Sequence, residues 1–321
     1  MIFEKKIVGM YRDWLHKRCD DTGNVYYFSA DNFEGLNAQP FSFKSEQGAV
    51  LKGYFYSYNG YDASRLVVFD HGHGSGHRAY MKEIEKLCRA GFRVFSYDHT
   101  GCMESEGEST RGFAQSLSDL NACITVLKSS EEAKGVSISV IGHSWGAFST
   151  LNISAIHKDI THIVVFSGFL SVEKIVNQNF PGLLKPYRKS ILAIERENNA
   201  RYLEYDAVNS IKESGVKALL IYSDNDKLVN VKHHFEPLRS AFADSENVKL
   251  ILTHNKGHNP NYTCGAVEYM GKFFSDLTKR SKKGMLNTEA EKQSFIAEYD
   301  WNKMTEQDES VWCEILAHLN K

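Results

Sequence analysis

The chain has 321 residues, 42% of them hydrophobic, which suits one large α/β domain with additions or two smaller domains. A formal net charge of −2 gives no electrostatic reason to expect nucleic acid or an acidic membrane surface as a partner. Six scattered cysteines without a CxxC pair, an N-terminus whose charges interrupt any apolar core, and no apolar run of membrane-spanning length make a reduced, cytoplasmic setting the expectation.

In chain order, Ile2 to Cys19 carries Phe3, Ile7, Met10, Tyr11, Trp14 and Leu15 at helical spacing, which predicts an amphipathic helix docked on a body. Pro40 to Tyr58 alternates as Phe41-x-Phe43 and Tyr54-x-Tyr56 around Glu46-Gln47-Gly48, which predicts a hairpin. Short β-rich runs then alternate with longer helical ones. Strands are predicted at 66–70, 92–97, 136–141, 160–166, 218–222 and 248–253, with helices at 79–89, 113–128, 147–157, 231–242 and 266–278. This alternation means crossover units and a mostly parallel central sheet with helices on both faces. The stretch 168–213 has helical periodicity and no strand signal, so a small helical cap insertion is expected over about 169–214. The expected organisation is an N-terminal helical segment (1–40), an α/β domain (41–281) and a charged C-terminal helical extension (282–321).

The stretch FDHGHGSGHRAY, Phe69 to Tyr80, admits three readings. A metal site would use His71, His73 and His77, but Ser75-Gly76 stands where a second ligand pair would be needed, and glycines fix ligand geometry poorly. No metal is expected. A dinucleotide loop would use Gly74-Ser75-Gly76-His77-Arg78-Ala79, with Asp98 at the end of the next strand as the ribose acid. A loop aiming amides at an oxyanion would require a nucleophile on a sharp turn after a later strand.

Gly142-His143-Ser144-Trp145-Gly146 meets that requirement as G-x-S-x-G between an apolar strand and a helix. A serine hydroxyl is a weak nucleophile, so it needs a base, and the base needs an orienting acid. Asp226 is favoured as the acid because it lies on the loop after its strand, with Asp224 the runner-up. His258 is the expected base, presented by Gly257; His254, His233 and His234 are read as packed or surface histidines.

On these residues, residues 41–280 or so resemble the α/β-hydrolase superfamily, serine esterase and lipase-like branch. The resemblance implies an α/β-hydrolase fold, a Ser144-Asp226-His258 triad, and an oxyanion hole made by the backbone amides of His73 and Trp145. Two positions depart from the family. Asp98-His99-Thr100-Gly101-Cys102-Met103-Glu104-Ser105 lacks the usual arginine and second glycine, and Lys227 replaces the proline frequent after the acid. Serine at the elbow disfavours dehalogenase-type and dienelactone-hydrolase-type chemistry, and Ala147 after Gly146 tilts towards esters over peptides.

The expectation is therefore a serine hydrolase cleaving a small-molecule carboxylic ester through an acyl-enzyme, without cofactor, metal, nucleic acid or membrane partner. His71, His143 and Trp145 are candidates for the substrate pocket, although His71 also reads as a loop brace and His77 as a helix start. The same triad would serve a thioesterase, an amidase or peptidase, or an acyltransferase. A nicotinamide-dependent oxidoreductase and a non-catalytic hydrolase-fold binding protein are the rivals from other classes.

Overall fold

A computed structural model describes residues 2–321, and its centre is one eight-stranded sheet. The strands are β1 (Asn37–Lys44), β2 (Val50–Ser57), β3 (Arg65–Asp70), β4 (Arg93–Tyr97), β5 (Ser137–His143), β6 (His162–Phe166), β7 (Lys217–Ser223) and β8 (Val248–Thr253). Their spatial order is β1-β2-β4-β3-β5-β6-β7-β8. The β1–β2 hairpin is antiparallel, β2 runs antiparallel to β4, and every other pairing is parallel. Gly53 is required where β2 meets β4, because a Cβ there would lie 2.6 Å from both Ser96 O and Tyr97 Cβ.

The central strands read as continuous apolar runs because helices cover both faces of the sheet. In β3, Leu66 and Val68 enter one core while Val67 and Phe69 enter the other. The first core is closed by α3 (Gln115–Ser129), α4 (Trp145–Ile156) and α8 (Val231–Ala241), together with the helices between β6 and β7: α5 (Val172–Asn179), α6 (Arg188–Asn199) and α7 (Ala207–Ser214). The second core is closed by α2 (Met81–Arg89) and the last helix, α12 (Glu309–Leu319), through Val311, Trp312, Ile315 and Leu319. A third, smaller apolar cluster joins α9 (Cys264–Lys282), α10 (Glu289–Ala297) and α11 (Trp301–Met304) through Phe273, Leu286, Phe295 and Met304. None of the described helices is long and apolar enough to cross a membrane.

The N-terminal helix is shorter than the apolar spacing predicts. Helix α1 (Ile2–Tyr11) passes into a π-helical turn over Arg12–His16, and the chain is extended from Lys17. Tertiary pairing takes over there: Lys17 bridges Ser109, and Cys19 bridges Cys102, with Cys19 N donating to Gly101 O over 2.9 Å. Backbone groups committed to a neighbouring loop cannot also continue a helix.

Candidate active site

The parallel strands deliver their C-terminal loops to one edge of the sheet, where an α/β sheet places ligands. Ser144 sits between β5 and α4 at φ 56° and ψ −107°, a conformation that is costly for a residue with a Cβ. Its surroundings hold it there. Ser144 N donates to Phe166 O over 2.9 Å, and a Cβ on Gly142 or Gly146 would strike the backbone of Gly146 or of Asp70 and His71.

His258 Nδ1 lies 2.7 Å from Asp226 Oδ2, and Asp226 Oδ1 accepts the amides of Leu228 (2.8 Å) and Val229 (3.1 Å). Burial pushes the Asp226 carboxyl up, but the His258 bond and charge and the two amides outweigh it, leaving the group below the usual carboxylate range. Asp224 instead pairs with His254 over 2.7 Å in an exposed position. Gly257 has φ 54°, and its amide donates to Asn225 Oδ1 over 2.7 Å, which holds the turn presenting His258.

Ser144, His258, His143, Trp145 and His73 line one cavity of about 570 Å³. Its far wall is apolar, made by Trp14, Leu15, Phe113, Phe169, Ile175, Phe180 and Leu228. Lys227 carries the one fixed charge among these lining residues. The backbone amides of His73 and Trp145 donate to no other group among the described residues. The Trp145 indole donates to Phe113 O over 2.7 Å, which fixes the ring against the cavity.

His71 does not line this cavity. It is wholly buried beneath the loop, with Nδ1 donating to Gly72 O (2.8 Å) and Nε2 accepting from His99 N (2.9 Å). Burial, reinforced by the charge of His99, lowers its pKa to about 3, so it stays neutral and braces the loop. His73 Nε2 donates to Leu15 O over 2.9 Å, so the N-terminal segment reaches into the site. His77 contacts Asp98 Oδ1 through its amide and Nδ1, both at 2.8 Å, and Tyr56 through Nε2 at 3.0 Å. The three histidines thus face three different sets of partners.

Asp98 is committed as well. Its Oδ1 serves His77 and its Oδ2 accepts from Glu104 N over 3.1 Å, with the residue only 1% exposed. Burial alone would raise its pKa, but the charge and hydrogen bond of His77 reverse this and bring it to about 2. A buried carboxylate therefore occupies the turn where a dinucleotide reading would place a pyrophosphate, and both of its oxygens already accept hydrogen bonds from the chain.

Two residues that sequence reasoning missed organise the site. Tyr80 Oη accepts the Gly72 amide (3.0 Å) and donates to His143 Nδ1 (2.8 Å), while His143 Nε2 donates to His258 O (2.8 Å). This chain requires a neutral His143, and burial together with the neighbouring His258 lowers that pKa to about 3. His99 lies 3.0 Å from Asp70 Oδ1 and 3.3 Å from Asp119 Oδ2, under the Trp145 ring at a centroid distance of 4.7 Å. Burial would lower its pKa, but the charge of Asp70 and the contacts with both acids raise it to about 9. Neither residue belongs to a recognisable spacing; only the acidic partners near His99 in space single it out.

A profile of the serine aminopeptidase S33 hydrolase family matches residues 61–200, which contain the elbow and the loop before it. An esterase of Pyrococcus furiosus superposes on 81% of this chain and 96% of its own, with a TM-score of 0.58 at 21% identity. The chain has the α/β-hydrolase fold. Two curated relatives of the chain are each 26% identical. One is the uncharacterised protein YqkD of Bacillus subtilis (strain 168), matched over 44% of either chain. The other is a monoglyceride lipase homologue of monkeypox virus, matched over 36% of this chain and 42% of its own. The chain thus spans under half the length of the curated relatives it matches.

Proposed function

We propose that this hydrolase cleaves carboxylic esters of small molecules through Ser144, His258 and Asp226. The observation that carries the reading is the 2.7 Å bond between His258 and Asp226 beside a cavity that also exposes the strained Ser144. His258 takes the Ser144 proton as Oγ attacks the carbonyl carbon, and Asp226 holds Nδ1–H and stabilises the imidazolium. The amides of His73 and Trp145 meet the developing oxyanion, each contributing about 3 kcal/mol to the barrier reduction. His258 then protonates the departing alkoxide, and water, deprotonated by the same imidazole, hydrolyses the acyl-enzyme.

The apolar far wall supports an uncharged acyl group, since a carboxylate or phosphate there would lose its hydration without a partner. The esterase and lipase names carried by similar proteins support an ester. The aminopeptidase family name favours an amide as the second reading, and thioester hydrolysis or acyl transfer would use the same groups. We assign the hydrolase to a reducing, cytoplasmic setting on its six unpaired cysteines.

A fluorophosphonate probe should label Ser144, followed by turnover of matched ester, thioester and amide substrates. Labelling at another residue, or undiminished turnover by Ser144→Ala, rejects the nucleophile. Amide turnover exceeding that of the ester replaces the substrate class.

A further inference from the structure

A second cavity of about 290 Å³ adjoins the first. His73 and Tyr80 line both, and Asn259, the residue after His258, lines only the second. Its outer wall is contributed by parts of the chain that the mechanism does not use: Tyr26, Met270, Phe274 and Trp301. Tyr26 packs on Trp301 at a centroid distance of 5.9 Å, and Asn259 Nδ2 touches Met270 Sδ at 3.7 Å. At its mouth Phe274 is left 48% exposed and Tyr26 36% exposed, although Phe273 beside them is fully buried.

An ester has two arms, one on each side of the scissile carbonyl. With the carbonyl carbon at Ser144 and its oxygen at the His73 and Trp145 amides, the leaving oxygen must face the base that protonates it. The chain beyond that base, at Asn259, opens onto the second cavity. Aromatic rings and a thioether favour an aromatic guest through edge and sulfur contacts. Arg78 is the one fixed charge in this lining, and its guanidinium is turned to Tyr27 O and Phe28 O.

We propose that this cavity is the leaving-group subsite and takes the aryl or arylalkyl alcohol of an uncharged ester. The proposal rests on the serine-ester reading above. The larger cavity then holds the acyl arm, and the two arms are sorted by the Tyr80 and His73 side chains between them.

The test compares ethyl butanoate with 2-phenylethyl butanoate on the intact protein, because the two share an acyl group and have leaving alcohols of similar acidity. The arylalkyl ester should be preferred at least tenfold in kcat/KM, and Phe274→Ala or Tyr26→Ala should cut that ratio several-fold. Binding of 2-phenylethanol to the Ser144→Ala protein, followed by Trp301 fluorescence, provides a readout independent of turnover, and binding should weaken in the Phe274→Ala background. Turnover without preference, or an unchanged ratio in both variants, overturns the subsite. Binding intact with neither ester turned over retains the subsite and rejects the ester chemistry.

Discussion

Tyr80 and His143 are joined by a 2.8 Å hydrogen bond, and through it the Gly72 loop, the Ser144 turn and the His258 loop form one connected unit. The Tyr80 hydroxyl satisfies Gly72 N, so losing it leaves that buried amide without a partner. The cost is about 1–3 kcal/mol, or roughly a tenfold effect per 1.4 kcal/mol. Tyr80→Phe should therefore lower kcat about tenfold with little change in KM for ethyl esters, in a protein whose far-ultraviolet circular dichroism matches wild type. A rise in KM alone would show that Tyr80 acts through substrate contact and not through positioning.

Asp226 and Asp224 offer a paired test, because both accept from a histidine over 2.7 Å. Only the Asp226 pair faces the cavity holding Ser144. Asp226→Asn should lower kcat by about 10⁴ through loss of the correct His258 tautomer. Asp224→Asn, at an exposed pair, should change it by no more than about twofold. Equal effects in the two variants would reject Asp226 as the triad acid.

Glu195 anchors the N-terminal segment. It is wholly buried and accepts from Tyr11 Oη (2.7 Å), His16 Nε2 (3.0 Å) and Phe113 N (2.7 Å). Gly112 makes room for it at φ 99°, where a Cβ would press on the carboxylate. Glu195→Ala strands these donors at a local cost of about 3 kcal/mol. Tryptic cleavage after Lys17 or Arg18 should then accelerate on the order of 100-fold. Unchanged cleavage would mean that Leu15 and its neighbours hold the segment without Glu195.

Stability should fall on both sides of neutrality, for opposite reasons. His99 is raised to about 9 against an ordinary 6.5. Its contribution is complete below 6.5 and is lost as pH rises through 9. His71 and His143 are lowered to about 3, so their contribution is present above 6.5 and is lost as pH falls towards 3. Urea midpoints measured from about pH 5 to about pH 10 should peak near neutrality. In His99→Gln the decline between about pH 7 and pH 9 should flatten. A persistent alkaline decline would assign it to other groups.

What the sequence made legible was whatever has a period or a motif. Alternating β-rich and helical runs located each central strand to within a few residues, since a strand buried on both faces must be apolar throughout. The choice between Asp224 and Asp226 rested on loop position, and the structure puts Asp226 against His258. Tyr80 ends the stretch that begins at Phe69, but its role is not legible there, because a hydroxyl bridging an amide and an imidazole 63 residues away has no local signature. The partner of His73 was further out of reach. It is the main-chain carbonyl of Leu15, and a carbonyl is the same at every position. The predicted N-terminal helix overran for the same reason, since its last turns answer to Ser109 and Cys102 and not to their own apolar spacing.

Leu15 and Asp308 come from opposite ends of the chain, and each fixes a loop of the site. Leu15 O holds the His73 ring, and Asp308 holds the Lys256 ammonium two residues before His258. The order of the loop that presents His258 therefore depends on a carboxylate 52 residues beyond Lys256 along the chain.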